Sequence, residues 1–535
     1  MLLSSRLTRC LALPPATTTT LLQDIASIQP KSVAKVILKK GKTQLFRDGS
    51  PMVYSGAIDS IIGRPPPKTG DVVLVADGAQ KPIGWGLYNS CSMFSVRLMQ
   101  LEEEVSGDPS CALNVEKLLE TRIDAAVNLR KNLGLPSANT NAYRLVNSEG
   151  DRLSGLIIDV FGDIAVVASS AAWVEKYKEH IKKCISGLGV INSIVWRPST
   201  DILKEEGLDM ADLAQEVPGS TERVKVVENG VSYMISLDGQ KTGFYADQRE
   251  NRQFISTICD GQKVLDMCCY TGGFALNAAC GHASDVIGVD SSSPALELAN
   301  QNIVLNNLDP KRISFLKQDA TSFMRNAASR NESWDIVILD PPKLAPRRKV
   351  LQSASGMYRN LNSLAMRLTK PGGFLMTCSC SGAMTQSGQF LPGAASMAGR
   401  KITLVRQTGA ACDHPIDPSY PEGAYLTNIL LRRILELAII KDKYIMVKAT
   451  ASTKHKPPTA RYAMPMKLFF PPSQLAVEST SNCTSLPVEK LKVSLNILQA
   501  TRPQGTIVDP FTLLSSGCLR HSHPFGSSIA YHFGS

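Results

Sequence analysis

Val264-Leu265-Asp266-Met267-Cys268-Cys269-Tyr270-Thr271-Gly272-Gly273-Phe274-Ala275 is the stretch that decides the fold. An apolar run ends near an aspartate, breaks at a Gly-Gly turn and resumes as a helix-forming segment. Four more strand-like runs follow: VIGVD (286–290), ISFLKQD (313–319), DIVILD (335–340) and GGFLMTCSCS (372–381). The helical stretches ALELANQNIVLNNL (295–308) and MYRNLNSLAMRL (357–368) stand among them. Strands alternating with helices of this length predict an α/β domain over 236–434, with a mostly parallel sheet covered on both faces.

Upstream the pattern changes. VAKVILKK (33–40), GDVVLVAD (70–77), IGWGLYN (83–89) and MFSVRLMQ (93–100) are short β-rich runs separated by turn residues, so 31–104 is expected to be a small β-barrel. Barrels of this kind often bind RNA. The segment 105–235 mixes a helical period at 115–133, strand-like runs over 143–170 and a second helix at 174–188, which reads as an α+β domain. The first thirty residues hold Arg6, Arg9, many Ser and Thr and a single acid, Asp24. That is the composition of an organellar transit peptide (chloroplast or mitochondrion), or else of a leader with no address. From Leu435 to Ser535 there are Pro-Pro pairs and no sustained period; this tail reads as largely disordered, with no assigned role.

Composition narrows the classes. The 535 residues are 43% hydrophobic and 20% charged, as in a globular protein, and no apolar run is long enough to span a membrane. The net charge of +11 leans toward a polyanionic partner. The 13 cysteines form no C-x-x-C pair, so no metal site is expected. Their odd number and scattered spacing suit a reducing compartment in which most serve as buried fillers.

In an open α/β sheet, ligands bind beyond the carboxyl ends of the strands. Asp266, Asp290 and Asp319 stand at three such ends, around Tyr270, Gly272, Gly273 and Phe274. Asp290 is placed to accept ribose hydroxyls, and Asp319 to meet an adenine. One strand-end aspartate is more often a turn former; three in sheet order with a Gly-Gly turn read as a nucleoside site. There is no G-x-G-x-x-G and no Walker lysine, so no phosphate cradle is expected, which fits S-adenosyl-L-methionine. Asp340-Pro341-Pro342-Lys343 follows the fourth strand. Prolines stiffen the backbone and leave carbonyls to line a slot for a flat base. Past it, Arg347, Arg348 and Lys349 either hold RNA phosphates or form a solvated loop. Cys380 lies at the end of the fifth strand on the same face as Cys378 and nearer the edge. Alone it would read as a structural cysteine; beside D-P-P-K it reads as a nucleophile.

Three stretches resemble the RlmI-type ribosomal RNA cytosine-C5 methyltransferases: Gln240 to Tyr245 with Asp247-Gln248-Arg249 and Asn251-Arg252; the YTGGFA, DPPK and SCSG runs; and Asp413-His414-Pro415 with Tyr420-Pro421-Glu422-Gly423. The resemblance spans about 31–433. It implies an N-terminal PUA domain, a central α+β domain and a Rossmann-like class I methyltransferase domain, with RNA, in particular ribosomal RNA, as partner. It also implies that Cys380 attacks cytosine C6 while Asp340 engages the N3 edge. Two departures stand out. The family has a helix where Gly388 and Pro392-Gly393 here oppose one, and the tail after 434 has no counterpart. Two other readings remain open at this point: methylation of a base nitrogen, and an RNA-binding ribosome assembly factor that keeps the fold without turnover.

Overall fold

The computed structural model describes residues 21–209, 223–237, 242–344, 351–381 and 390–435, apart from the side chains of 351–353 and 390. Arg347, Arg348 and Lys349 therefore lie outside the described residues, as do Gln240, Lys241, most of the leader and the tail after Leu435.

The N-terminal strands are β1 (Ala34–Leu38), β2 (Met52–Tyr54), β3 (Ile58–Ile62), β4 (Val72–Ala76), β5 (Pro82–Tyr88) and β6 (Phe94–Leu101). They form one sheet in the order β2-β6-β5-β4-β1-β3, and among the described residues pairing stops at β2 and β3. Gly84 and Gly86 sit where the sheet is tightest. A Cβ at either would lie within 2.4 Å of a carbonyl oxygen on β6.

Next come β7 (Ala142–Asn147), β8 (Leu156–Phe161), β9 (Ile164–Ser169) and β10 (Ser193–Pro198), which form a sheet in the order β10-β9-β8-β7. The helices Val115–Asn132 and Lys178–Ser186 share one apolar cluster with it. β11 (Arg223–Glu228) and β12 (Val231–Ser236) pair as a hairpin. Its turn, Asn229-Gly230, has φ of +48° and +83°, values that favour Asn and Gly in a two-residue loop.

The seven remaining strands are β13 (Lys263–Met267), β14 (Asp285–Asp290), β15 (Ile313–Lys317), β16 (Trp334–Leu339), β17 (Thr369–Ser379), β18 (Ile402–Thr408) and β19 (Thr427–Arg433). They lie in the order β15-β14-β13-β16-β17-β19-β18. All pairs from β15 to β17 are parallel; β19 runs antiparallel to both its neighbours. Strands buried on both faces must be apolar at successive positions, and alternation sorts them. Val264, Val286, Ile336, Ile338, Met376 and Leu430 pack with the helix Gly273–Cys280. Leu265, Val289, Val337, Leu339, Leu375 and Leu431 pack with the helices Ala320–Ser329 and Leu351–Leu368.

The expected absence of a helix near Pro392-Gly393 is corrected: Phe390–Ala398 is a helix. Pro392 lies in its first turn, where an N–H has no intrahelical partner to lose. A Cβ on Gly393 would press on Arg359 at 3.1 Å, so this glycine admits the arginine. The cysteine expectation also needs adjusting. Among the described residues Cys111, Cys259, Cys269 and Cys378 are buried, whereas Cys91 and Cys412 are exposed.

Candidate active site

The turn after β13 is held in an uncommon conformation. Cys268, Tyr270 and Gly272 have φ of +63°, +49° and +83°. Two non-glycine residues in the left-handed region cost energy and persist only when neighbours over-determine them. Here the amides of Cys268 and Cys269 both donate to the Val289 carbonyl, and the Gly272 amide donates to that of Cys269. The Tyr270 amide donates to Asp290 Oδ2 at 3.0 Å, while Asp290 Oδ1 accepts from the Ser292 amide at 2.8 Å. Asp290 is thus pinned at the end of β14 and half-buried.

Asp266 is fully buried. Its Oδ2 accepts from the Ala275 amide at 2.9 Å, and its Oδ1 has no partner among the described residues. Burial, together with the nearby charges of Asp340 and Asp290, pushes this carboxyl up to about 8. An orphaned buried acceptor beside a pinned, half-exposed carboxylate is an acceptor-rich set. It suits a ligand that brings hydroxyls and an ammonium and no phosphate, which S-adenosylmethionine does.

The two glycines make room for the protein itself. A Cβ on Gly272 would lie 2.6 Å from Phe315, and one on Gly273 would lie 2.9 Å from Arg252. The Phe274 ring is buried in the core cluster, so only its backbone remains for a ligand. Asp319 is exposed, and its Oδ1 accepts from the Ser322 amide to cap the helix Ala320–Ser329. Burial, with Asp290, Asp340, Asp266 and Asp319 in reach, pushes the Cys268 thiol up.

β16 and β17 complete the arrangement. Asp340 follows β16, half-buried, and its Oδ2 accepts from Gln248 Nε2 at 3.1 Å. Pro341 is buried, Pro342 exposed and Lys343 half-buried. Cys378 lies in the core; its sulfur accepts from Asn428 Nδ2 at 3.2 Å, and burial and then Asp340 push its thiol well up. Cys380 is one residue past β17 and half-buried. Tyr245 shows that the strand ends converge. Its ring meets Tyr270 edge-on, with centroids 5.3 Å apart. Burial and then Tyr270, Asp247, Asp340 and Cys380 push its phenol up. Burial, with Cys380 and Asp340 contributing against hydrogen bonds to Ser379 and Leu344, raises Tyr358 to about 12.

Gln248 and Tyr245 belong to a stretch that carries the family resemblance, but the sequence assigns neither a role in the site. In the Asp247–Arg252 run just after Tyr245, every residue but Glu250 is buried although all are polar. Arg252 forms two bonds with Glu228 at 2.8 and 2.7 Å, and Arg249 forms two with Asp413 at 3.0 and 2.9 Å. Although burial opposes it, His414 and Arg249 hold the Asp413 carboxyl well below the usual range. Among the described residues no group of His, Cys, Asp and Glu is placed to hold a metal, and no helix is long and apolar enough to cross a membrane.

Residues 212–426 match the S-adenosylmethionine-dependent methyltransferase family, and residues 36–101 match the PUA-like domain. Ribosomal RNA large subunit methyltransferase I of Alteromonas mediterranea is 35% identical over 400 residues, covering 74% of this chain and 98% of the relative. The enzyme of the same name from Aeromonas salmonicida is 34% identical over 400 residues, again 74% and 98%. A solved S-adenosylmethionine-dependent methyltransferase from Streptococcus mutans superposes with a TM-score of 0.62 at 20% identity, covering 74% of this chain and 99% of its own. A methyltransferase solved with SAH superposes with the same score at 21% identity and the same coverage. These two share the fold.

Proposed function

The chain belongs to the ribosomal RNA large subunit methyltransferase I family, and from that premise we propose that it methylates C5 of a cytosine in ribosomal RNA through an adduct at Cys380. The coarser statement, an S-adenosylmethionine-dependent RNA methyltransferase, follows from the family. The finer one is carried by the contrast between two cysteines on one strand. Cys378 is buried and hydrogen-bonded, whereas Cys380 is half-buried at the strand end near Asp340.

When bound, S-adenosylmethionine supplies an electrophilic methyl group. In this reading Asp290 accepts ribose hydroxyls, and the orphaned oxygen of Asp266 accepts from an amino group. Tyr270, Gly272, Gly273 and the Phe274 backbone form the turn that borders the cofactor, with Asp319 at its far side. Pro341 and Pro342 line a slot for the base, which must leave its helix to expose C6. Lys343 with Arg347, Arg348 and Lys349 would hold flanking phosphates.

The Cys380 thiolate adds to C6, forming a carbon–sulfur bond and moving the electron pair of the C5–C6 bond toward C5 and N3. Asp340, oriented by Gln248, engages the N3 edge and stabilises the charge that develops there. C5 then takes the methyl group. A base removes the C5 proton, the C5–C6 double bond re-forms and the thiolate leaves.

The organellar address read from the first thirty residues belongs to the same proposal. Mass-spectrometric mapping of 5-methylcytidine in ribosomal RNA, with and without the protein, tests it. One cytosine should lose its methyl group when the protein is absent, and an unchanged map would refute the reading. A fluorescent fusion to residues 1–30 that stays diffuse in the cytoplasm would remove the organellar part alone.

A further inference from the structure

At the amino-terminal end of the same sheet, on the side away from Asp340 and Cys380, the surface opens into a cleft of about 650 Å³. Ser333 just before β16, Pro371 early in β17 and Arg433 at the end of antiparallel β19 mark its position. β16 has six residues, so this cleft and the carboxyl edge lie about 20 Å apart along the strand. Arg325, Arg367, Arg400 and Arg433 line it, each from a different segment of the fold.

Three of these arginines are positioned by backbone. Arg367 donates to the Met397 carbonyl at 2.8 Å, Arg400 to that of Gly399 at 3.3 Å and Arg433 to that of Thr369 at 2.5 Å. Among the described residues Arg325, Arg367 and Arg400 form no ion pair with a carboxylate, and the buried Nε of Arg400 has no partner. The one acid in the lining, Glu332, is already held by Arg330 through two bonds of 2.7 and 3.2 Å. The cleft therefore presents planar, preorganised donors with little opposing charge, which matches phosphate oxygens. The tail is a poor occupant, because from Leu435 onward it carries 11 Lys and Arg against 5 Asp and Glu.

We infer that this cleft is a second phosphate-binding site, which grips the RNA backbone away from the reacting base. The inference rests on the RNA reading above. A polymer with a phosphate at every nucleotide can reach both edges of the sheet at once, and a small anion cannot.

The test compares wild-type protein with the R325Q/R367Q/R400Q variant, using a fluorescein-labelled RNA hairpin and potassium chloride between about 50 and 200 mM. The slope of log affinity against log salt should flatten by about 0.7–0.9 for each arginine–phosphate pair removed, or roughly 2–3 in total. Affinity for S-adenosylmethionine should be unchanged, which certifies the fold. The R325K/R367K/R400K variant keeps the charge and should keep most of the slope. Wild type that binds RNA with a slope equal to that of the glutamine variant overturns the cleft. Wild type with no salt-dependent RNA binding overturns the RNA reading itself. If the glutamine variant loses binding of inorganic tripolyphosphate while the RNA slope stays put, the site takes small anions and the inference fails.

Discussion

At their carboxyl ends β13, β14 and β16 deliver Asp266, Asp290 and Asp340 into one region, with Cys380 from β17 beside them. At the amino-terminal end of β16 and β17 the cleft is instead lined by arginines. The acids are brought together at a cost, since burial and mutual repulsion push Asp266 up to about 8. The arginines cost little, because backbone carbonyls accept hydrogen bonds from Arg367, Arg400 and Arg433. Groups forced into an unfavourable electrostatic environment mark the end of a sheet where a ligand is to be received. The other end needs only complementary charge, and its residues can be ordinary surface arginines held still.

Breaking the reacting end should have the largest effect. Cys380→Ala should lower transfer of a labelled methyl group by on the order of 10³-fold or more, while Cys378→Ala keeps most of the activity. Equal losses in the two variants would erase the distinction between them.

Stability should separate the regions next. Arg252→Ala strands the buried Glu228 carboxylate and should cost about 3–5 kcal/mol in denaturant unfolding. Arg367→Ala, on the exposed cleft, should cost no more than about 0.5 kcal/mol. Comparable values would mean that the cleft arginines are structural.

Asp290→Ala should weaken S-adenosylmethionine binding by about 1.5–3 kcal/mol, or roughly ten- to a hundredfold by calorimetry. An unchanged affinity would move the ribose contact elsewhere.

A further difference between the two ends concerns pH. Asp266 has a folded value of about 8, above the unfolded value of about 3.9. The folded protein therefore holds the extra proton. The stability this group contributes is complete below about pH 4 and is lost as pH rises toward 8. Asp266→Asn should flatten the pH dependence of unfolding across that window in cofactor-free protein. A persisting slope would show that Asp266 is not its source.

The parallel strands were legible because strands buried on both faces need unbroken apolar runs, and VLDM and IVIL supply them. The strand-end acids and Cys380 were legible for the same reason, since the end of an apolar run fixes which residue stands at the edge. Other features depend on long-range pairings that the local pattern does not encode. Gln248 reaches Asp340 across 92 positions, and nothing local announces the pairing. The four cleft arginines are likewise far apart in sequence. The helix Phe390–Ala398 escapes a reading that weighs proline by its presence alone; its place in the first turn decides the outcome. The Asn229-Gly230 hairpin carries a usable turn signal that a coarse strand reading passes over.

The central claim is that a thiolate at Cys380 attacks the base. RNA carrying 5-fluorocytidine at the target, incubated with S-adenosylmethionine, tests it directly, because fluorine at C5 cannot leave as a proton does. Mass spectrometry of the digested product should find RNA joined to the peptide containing Cys380, with no adduct in Cys380→Ala and an undiminished one in Cys378→Ala. Methyl transfer by Cys380→Ala, with no trapped adduct in wild type, would contradict the account and favour methylation of a base nitrogen.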